Sequence, residues 1–403
     1  MDEAHGGPTD IPKKVGLREL ALYFLRLGTT AFGGPAAHIA MMEDEVVRRR
    51  RWVTPEKFLD LLGAANLIPG PSSTEMAIFI GYLCKGWPGL LLGGVCFIAP
   101  AMVIVLGFAW AYARFGNLPQ VTWLLYGVKP VVIAIILQAL WQLGRSAVKN
   151  KFLGALAIID IVMNFLGINI LILLFGTGVV SGMRAGLGQD RARNWHPLLI
   201  MLLSAGSFLA AAYFLTGLYS TGKVEFGLLP LFLFFTKVGA IVFGSGYVIL
   251  AFLQADLVGQ WHWLTTTQLL DAIAVGQVTP GPVFTTATFI GYLLAGFPGA
   301  LIATAGIFLP SFILVALSSP LIPRLRQSAA AGAFLDGVIV ASLSLMAVVP
   351  WSLGRDAVID PITALLAIAS AAGLIRFRLS SLWLVLVGAL IGLLTYMARI
   401  FFI

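Results

Sequence analysis

Charge, cysteine and histidine are all scarce in this sequence. Only 11% of the residues are charged, against roughly 25% in an ordinary soluble domain. With 59% hydrophobic residues and a mean hydropathy of +0.94, the chain excludes a water-soluble globule and reads as a polytopic membrane protein. The two cysteines, Cys84 and Cys96, sit in or beside apolar runs. They make neither a disulfide framework nor a thiolate metal cluster. His5, His38, His196 and His262 are scattered and form no metal-ligand set. No nucleophile–base pair is legible either, so no enzyme, metal or cofactor is expected. Up to Arg18 the N-terminus is polar, without a short apolar core and small-residue cleavage site, so no cleavable signal peptide is expected. The net charge of +8 does not point to nucleic acid, because the basic residues cluster between apolar segments, as in cytoplasmic loops.

Apolar runs fill the rest. They cover residues 20–32, 58–82, 90–113, 121–143, 152–165 and 168–182. A basic loop with Arg184, Arg191 and Arg193 and a lone segment, 197–215, follow. The opening pattern then returns in 228–242, 269–292, 300–318, 332–351, 363–374 and 382–402. The second run is interrupted in its middle by Asn66, Pro69-Gly70-Pro71, Ser72, Ser73, Thr74 and Glu75. Proline removes a backbone donor and clashes with the preceding turn, so the helix breaks there. Broken backbone at membrane depth is tolerated only where protein or a watery cavity satisfies it. The same break recurs at Pro280-Gly281-Pro282, followed by Thr285 and Thr286. Two such breaks in matching halves point to a transporter's substrate site.

The halves are an internal repeat. Gly28, Gly33, Trp52, Thr54, Asp60 and Pro69-Gly70-Pro71 recur at one constant offset as Gly239, Gly244, Trp263, Thr265, Asp271 and Pro280-Gly281-Pro282. After the loss of one residue, Phe79-Ile80-Gly81-Tyr82, Gly86, Pro88 and Pro100 recur as Phe289-Ile290-Gly291-Tyr292, Gly296, Pro298 and Pro310. Arg48 to Arg51 and Lys57 fit a cytoplasmic side only if the first two segments of each half are re-entrant or otherwise return to their starting side. The matching loop, 254–267, holds no Lys or Arg, as an inverted copy requires. The expected fold is all-α, with two inverted-topology repeats of broken, re-entrant helices joined by a single linking transmembrane helix. Residues 1–16 form a cytoplasmic tail, 17–183 the first repeat, 184–227 the loop and linking helix, and 228–403 the second repeat.

Few ionisable residues lie inside these runs, where each is costly. Arg26 and Lys237 stand two residues before matched glycines, one per half. They either face a shared anion site or snorkel to an interface. Asp60 and Asp271, also matched, either exchange protons, orient those cations, or cap the broken helix. Glu75, a carboxylate beside a broken helix, is a candidate proton site, and Lys129 reads as a segment-end residue. Each half-helix after a break presents unpaired N–H groups and a positive dipole end, a ready anion site. Ser72, Ser73, Thr74, Thr285 and Thr286 add hydroxyls there. Gly33-Gly34 and Gly244 either let backbone approach the same point or serve close helix packing.

These motifs resemble the chromate ion transporter family. The likeness rests on FGGPAAHI at 32–39, IPGPSSTEMAIFIGYLCKGWPG at 68–89, FGSGYVIL at 243–250 and TPGPVFTTATFIGYLLAGFPGA at 279–300. It covers nearly the whole chain. The resemblance implies a carrier of the bacterial inner membrane that expels chromate and confers chromate resistance, with sulfate as competitor or exchange partner. An anion channel, and a small-cation carrier using Asp60, Asp271 and Glu75, are the alternative readings. The partners expected are the oxyanion, the lipid bilayer and a second copy in a homodimer.

Overall fold

The computed structural model describes residues 15–187, 224–243, 246–318 and 329–402. The expected linking helix at 197–215 and Gly244 lie outside the described residues. Among the described residues the regular structure is entirely helical, seven α-helices in each half. The first half comprises α1 (Leu17–Thr30), α2 (Gly34–Met42), α3 (Pro55–Ala65), α4 (Ser72–Phe115), α5 (Pro119–Ala147), α6 (Lys151–Phe165) and α7 (Ile170–Leu187). The second comprises α8 (Leu228–Ile241), α9 (Ile249–Phe252), α10 (Thr266–Val278), α11 (Thr286–Ser318), α12 (Ala329–Ala357), α13 (Pro361–Ile375) and α14 (Ser381–Phe402). A π-helical turn extends α2 (Glu43–Arg49) and another extends α9 (Leu253–Gln260). Five stretches are long and apolar enough to cross a membrane, in α4, α5, α11, α12 and α14.

Local chemistry starts the helices alike in both halves. The Thr54 hydroxyl accepts from Lys57 N–H to cap α3, and Thr265 caps α10 in a capping box with Gln268. Asn150 and Asp360, also matched, accept the backbone N–H groups of Leu153 and Thr363 to cap α6 and α13.

The first segment is re-entrant. With 14 residues at about 1.5 Å each, α1 falls short of a bilayer core of about 30 Å. The chain then turns at Gly33 and Gly34, whose φ angles of 103° and 78° suit glycine, and comes back through α2. Arg50 pairs with Glu19 at 2.9 Å, and Trp52 packs edge-on against Tyr23 at 5.5 Å, so the return reaches the start of α1. In the second half Trp261 takes the place of Arg50 and packs on Phe234 at 5.3 Å. Each hairpin is thus closed by an aromatic pair and an ion pair, the second by Phe234–Trp261 and Lys237–Asp256.

The second segment is also re-entrant. α4 bends back on itself at Lys85-Gly86, and α11 bends at the matched Ala295-Gly296, with nearly identical angles (Gly86 φ 61°, ψ −143°; Gly296 φ 62°, ψ −151°). In a straight helix Gly81 and Gly89 would be about 12 Å apart. Here a Cβ on Gly89 would strike the Gly81 carbonyl, so two antiparallel arms touch. The short arm (Phe79, Ile80) and the start of the long arm (Leu90) share a buried cluster with Leu20, Tyr23 and Trp52. Val105 and Ala109, further along the long arm, pack in a second cluster that joins α5, α6 and α7 to the second half.

The halves are inverted and interlocked. Gly94, early in the long arm of α4, meets the Phe312 ring near the end of α11, while Tyr112, late in α4, packs 5.3 Å from Phe289 at the start of α11. Phe289 is on the short arm of α11, level with the start of its long arm, since Gly291 abuts Gly299, so the two long arms are antiparallel. A two-fold axis relating antiparallel rods lies across them, hence in the plane of a membrane they cross. Beside them α5 packs on α14 through Gly127 and Gly388, and α12 packs on α7 through the matched Gly337 and Gly178. Each half covers its long central helix with the last helix of the other.

Candidate functional site

The two broken turns meet the two re-entrant helices crosswise. The N–H of Gly70 donates to the carbonyl of Val242 at 2.7 Å, and the N–H of Gly281 donates to the carbonyl of Ala31 at 2.9 Å. Val242 and Ala31 are matched residues at the C-terminal ends of α8 and α1. A helix end leaves carbonyls without intrahelical partners, and a proline cannot supply a donor. The glycine of each Pro-Gly-Pro therefore provides the bond that the opposite half lacks. Pro69, Gly70, Pro71, Pro280, Gly281 and Pro282 are all buried at this junction.

A cavity of about 810 Å³ opens beside it, within the usual range for small-molecule sites. Both halves line it, through the backbone of Gly33, Gly34 and Gly281, through Asn66 and Ser72, and through Tyr247 and Gln277. Gln138 and Gln142 of α5 complete the polar wall. Ser72 opens α4, whose first backbone bonds run from Thr74 and Glu75 N–H to the Pro71 carbonyl and whose start has no side-chain cap. The positive end of that helix faces the cavity. Tyr247 O–H donates to Gln277 Oε1 at 3.1 Å, which turns the amide so that Nε2 has no hydrogen-bond partner among the described residues. Glu43 also lines the cavity and pairs with Arg48 at 2.9 Å, placing one guanidinium at its rim. A smaller cavity of about 320 Å³ shares Asn66 and Leu143 with the first and leads to the Lys149–Asp336 ion pair, 2.7 Å long.

The remaining expected site residues scatter. The buried face of α1 is Leu20, Tyr23, Phe24, Leu27 and Gly28, at helical spacing, and Arg26 lies off that stripe, exposed. The Lys237 ammonium pairs with Asp256 at 2.6 Å and sits over the Phe234 ring, 5.4 Å from its centroid. Neither cation lines the cavity. Thr285 and Thr286 donate their hydroxyls to the carbonyls of Pro282 and Val283, each at 2.8 Å. Ser73 and Thr74 are buried, and their hydroxyls have no partner among the described residues. Asp60 is half-buried. Its match Asp271 is buried, accepts from Tyr112 O–H at 2.8 Å and pairs with Lys129 at 3.2 Å. Lys129 thus joins a buried cluster rather than a segment end. Glu75 is completely buried, and neither of its oxygens is hydrogen-bonded among the described residues.

Sequence reasoning passed over Asn66, Gln138, Gln142, Tyr247 and Gln277 as cavity residues. The signals were present. Gln138 and Gln142 stand four apart on one face of an apolar helix, and a carboxamide precedes each Pro-Gly-Pro by three residues, at Asn66 and Gln277.

Two inverted repeats of re-entrant helices, with broken turns meeting at a polar cavity, define a polytopic membrane transport protein. The comparisons make the family specific. The sequence pattern of the chromate transporter family matches residues 18–183 and again 229–393, and the chain belongs to that family. It is 37% identical to a chromate transport protein of Cupriavidus metallidurans over 94% of this chain and 93% of that one. It is 33% identical to a probable chromate transport protein of Synechococcus elongatus, over 87% and 88% of the two chains. It is 29% identical to a chromate transport protein of Pseudomonas aeruginosa, over 83% and 80%. No solved structure matches the chain.

Proposed function

We propose that this protein is a secondary carrier that exports chromate, or a related oxyanion such as sulfate, from the bacterial cytoplasm across the inner membrane. The observation that carries this reading is the crosswise pair of backbone bonds, Gly70 to Val242 and Gly281 to Ala31, beside a cavity that both halves line. A ligand there touches both repeats, so its binding can favour one arrangement of the halves over another. The oxyanion is held by neutral donors: the amides of Gln277 and Asn66, the Ser72 hydroxyl and the N-terminal end of α4. Arg48 to Arg51 keep the loop after the first segment, and with it the start of α1, on the cytoplasmic side. Export of a dianion from a negative-inside cell gains about 2.3 kcal/mol per charge per 100 mV, so the membrane potential suffices and proton exchange adds to it.

The test is uptake of labelled chromate and sulfate into inside-out vesicles, with and without an imposed potential and pH gradient. Saturable chromate uptake that sulfate suppresses is the expected result. Folded protein that moves neither anion would overturn the reading. A second reading, a small-cation carrier, is favoured by one observation: among the described residues, Glu43 is the sole charged one in the cavity lining. Sodium or proton flux independent of any anion would establish that reading instead.

A further inference from the structure

The two broken turns are alike in backbone but not in what lies over their glycines. A Cβ on Gly281 would meet the Ala101 methyl at 2.5 Å and the carbonyl of Gly28 at 3.3 Å. A Cβ on Gly70 would collide with Glu75 Oε1 and sit 2.6 Å from Ser311 Oγ. Ser311 occupies the repeat position of Ala101, and the counterpart of Glu75 is among Thr285 and Thr286. The second turn is thus covered by a methyl group, with threonines whose hydroxyls are already bonded to Pro282 and Val283. Covering the first are a carboxyl from one half and a hydroxyl from the other. Both are fully buried, and neither has a hydrogen-bond partner among the described residues.

Among the described residues no charged group compensates Glu75. The elements packed on α4 carry Tyr23 and Arg26 on α1, His38 on α2, Asp60 on α3, Asp271 on α10 and Tyr292 on α11, besides the ionisable first turns of α1 and α3. None of these bonds to either carboxyl oxygen. An unpaired carboxylate charge in such a place is costly, and a neutral acid is much less so.

We propose that Glu75 and Ser311 form a single proton-binding site shared by the two halves, and that this proton controls opening of the first broken turn. With the proton on Glu75, the closed turn buries a neutral acid beside the Ser311 hydroxyl, both set against Gly70. On opening, water takes the proton, the carboxylate is left hydrated, and the Ser311 hydroxyl turns to donate to it. The inference rests on the transporter reading above, and it makes one half of a symmetric scaffold the proton-sensing half.

Infrared difference spectra of the reconstituted full-length protein between acid and alkaline conditions read the site without any substrate. The carboxylic-acid C=O band should vanish in Glu75→Gln, shift in Ser311→Ala and return to its place in Ser311→Thr. Ser311→Ala copies the residue its own repeat partner already uses, so it keeps the fold if the isosteric Glu75→Gln does not. In vesicles, Glu75→Gln should lose the response to a pH gradient and keep the response to membrane potential. Persistence of the band in Glu75→Gln would overturn the proposal and assign the proton to Asp60 or Asp271. An unmoved band in Ser311→Ala would overturn the shared site. If the bands behave as expected while the wild type moves neither chromate nor sulfate, the proton site stands and the substrate reading falls.

Discussion

On the proposed reading, Gln277 is the side chain that most directly sets the affinity of the cavity. Its oxygen is held by Tyr247, and its buried Nε2 has no hydrogen-bond partner among the described residues, which leaves that amide to donate to the oxyanion. A hydrogen bond to a charged group contributes about 1.5–3 kcal/mol, so Gln277→Leu should weaken oxyanion binding by at least about tenfold in competition uptake. Lys129 and Asp271 present the opposite case. Their side chains are 16% and 3% exposed, and breaking a buried pair leaves a charge uncompensated. Lys129→Met should lower stability by about 3–5 kcal/mol in thermal unfolding, and adding Asp271→Leu should restore most of it. Asp360, at the start of α13, gives a pH signature. Partial burial works to raise its carboxyl, but the Thr363 N–H and the Tyr126 hydroxyl, 2.6 Å away, outweigh this and hold it below the ordinary value. Its cap is therefore at full strength above the unfolded carboxylate value of about 3.9 and fades as pH falls through the lower folded value. Asp360→Ala should cost about 1 kcal/mol at neutral pH, with the gap to wild type closing only in strong acid.

At the scale of elements, hairpins replace simple crossings. Six apolar runs per half suggested six chain passes, and composition cannot separate a re-entrant helix from a spanning one. The lysine and arginine distribution could, because Arg48 to Arg51 are misplaced unless the first segment returns. The Arg50–Glu19 pair shows that it does. After removal of Cys84 and Cys96, single cysteines at Arg50 and Lys85 should react with an impermeant reagent from one face of the membrane. A cysteine at Ala295, the repeat counterpart of Lys85, should react from the other. Labelling of the Lys85 and Ala295 sites from one face would exclude inverted repeats.

At the scale of the whole molecule, the repeats do not behave as two separable domains. α5 is covered by α14 and α12 by α7, through backbone contacts that only small residues permit. A Cβ on Gly388 would sit 2.6 Å from the Gly127 carbonyl. Gly388→Leu should therefore cost about 1–3 kcal/mol or more, and both halves should lose structure in one transition rather than two. Two transitions in calorimetry would show that the halves fold independently.

The sequence by itself determined that the chain lies in a membrane, that it is built twice, and where the two Pro-Gly-Pro breaks fall, though not the bends at Lys85-Gly86 and Ala295-Gly296. Those properties are local: apolar length, proline chemistry and a constant offset are all read along the chain. It also pointed to Glu75 as exceptional, because a carboxylate in an apolar run is conspicuous at any depth. Tertiary structure alone decided which groups meet. It turned Arg26 to an exposed face, paired Lys237 with Asp256, and drew Lys129 from the first half onto Asp271 of the second. It also placed Gln138, Gln142, Tyr247 and Gln277 around one cavity and set Ser311 beside Glu75. The physical reason is that these contacts join residues far apart in sequence and close only when two inverted halves interlock, a geometry that no single run of residues encodes.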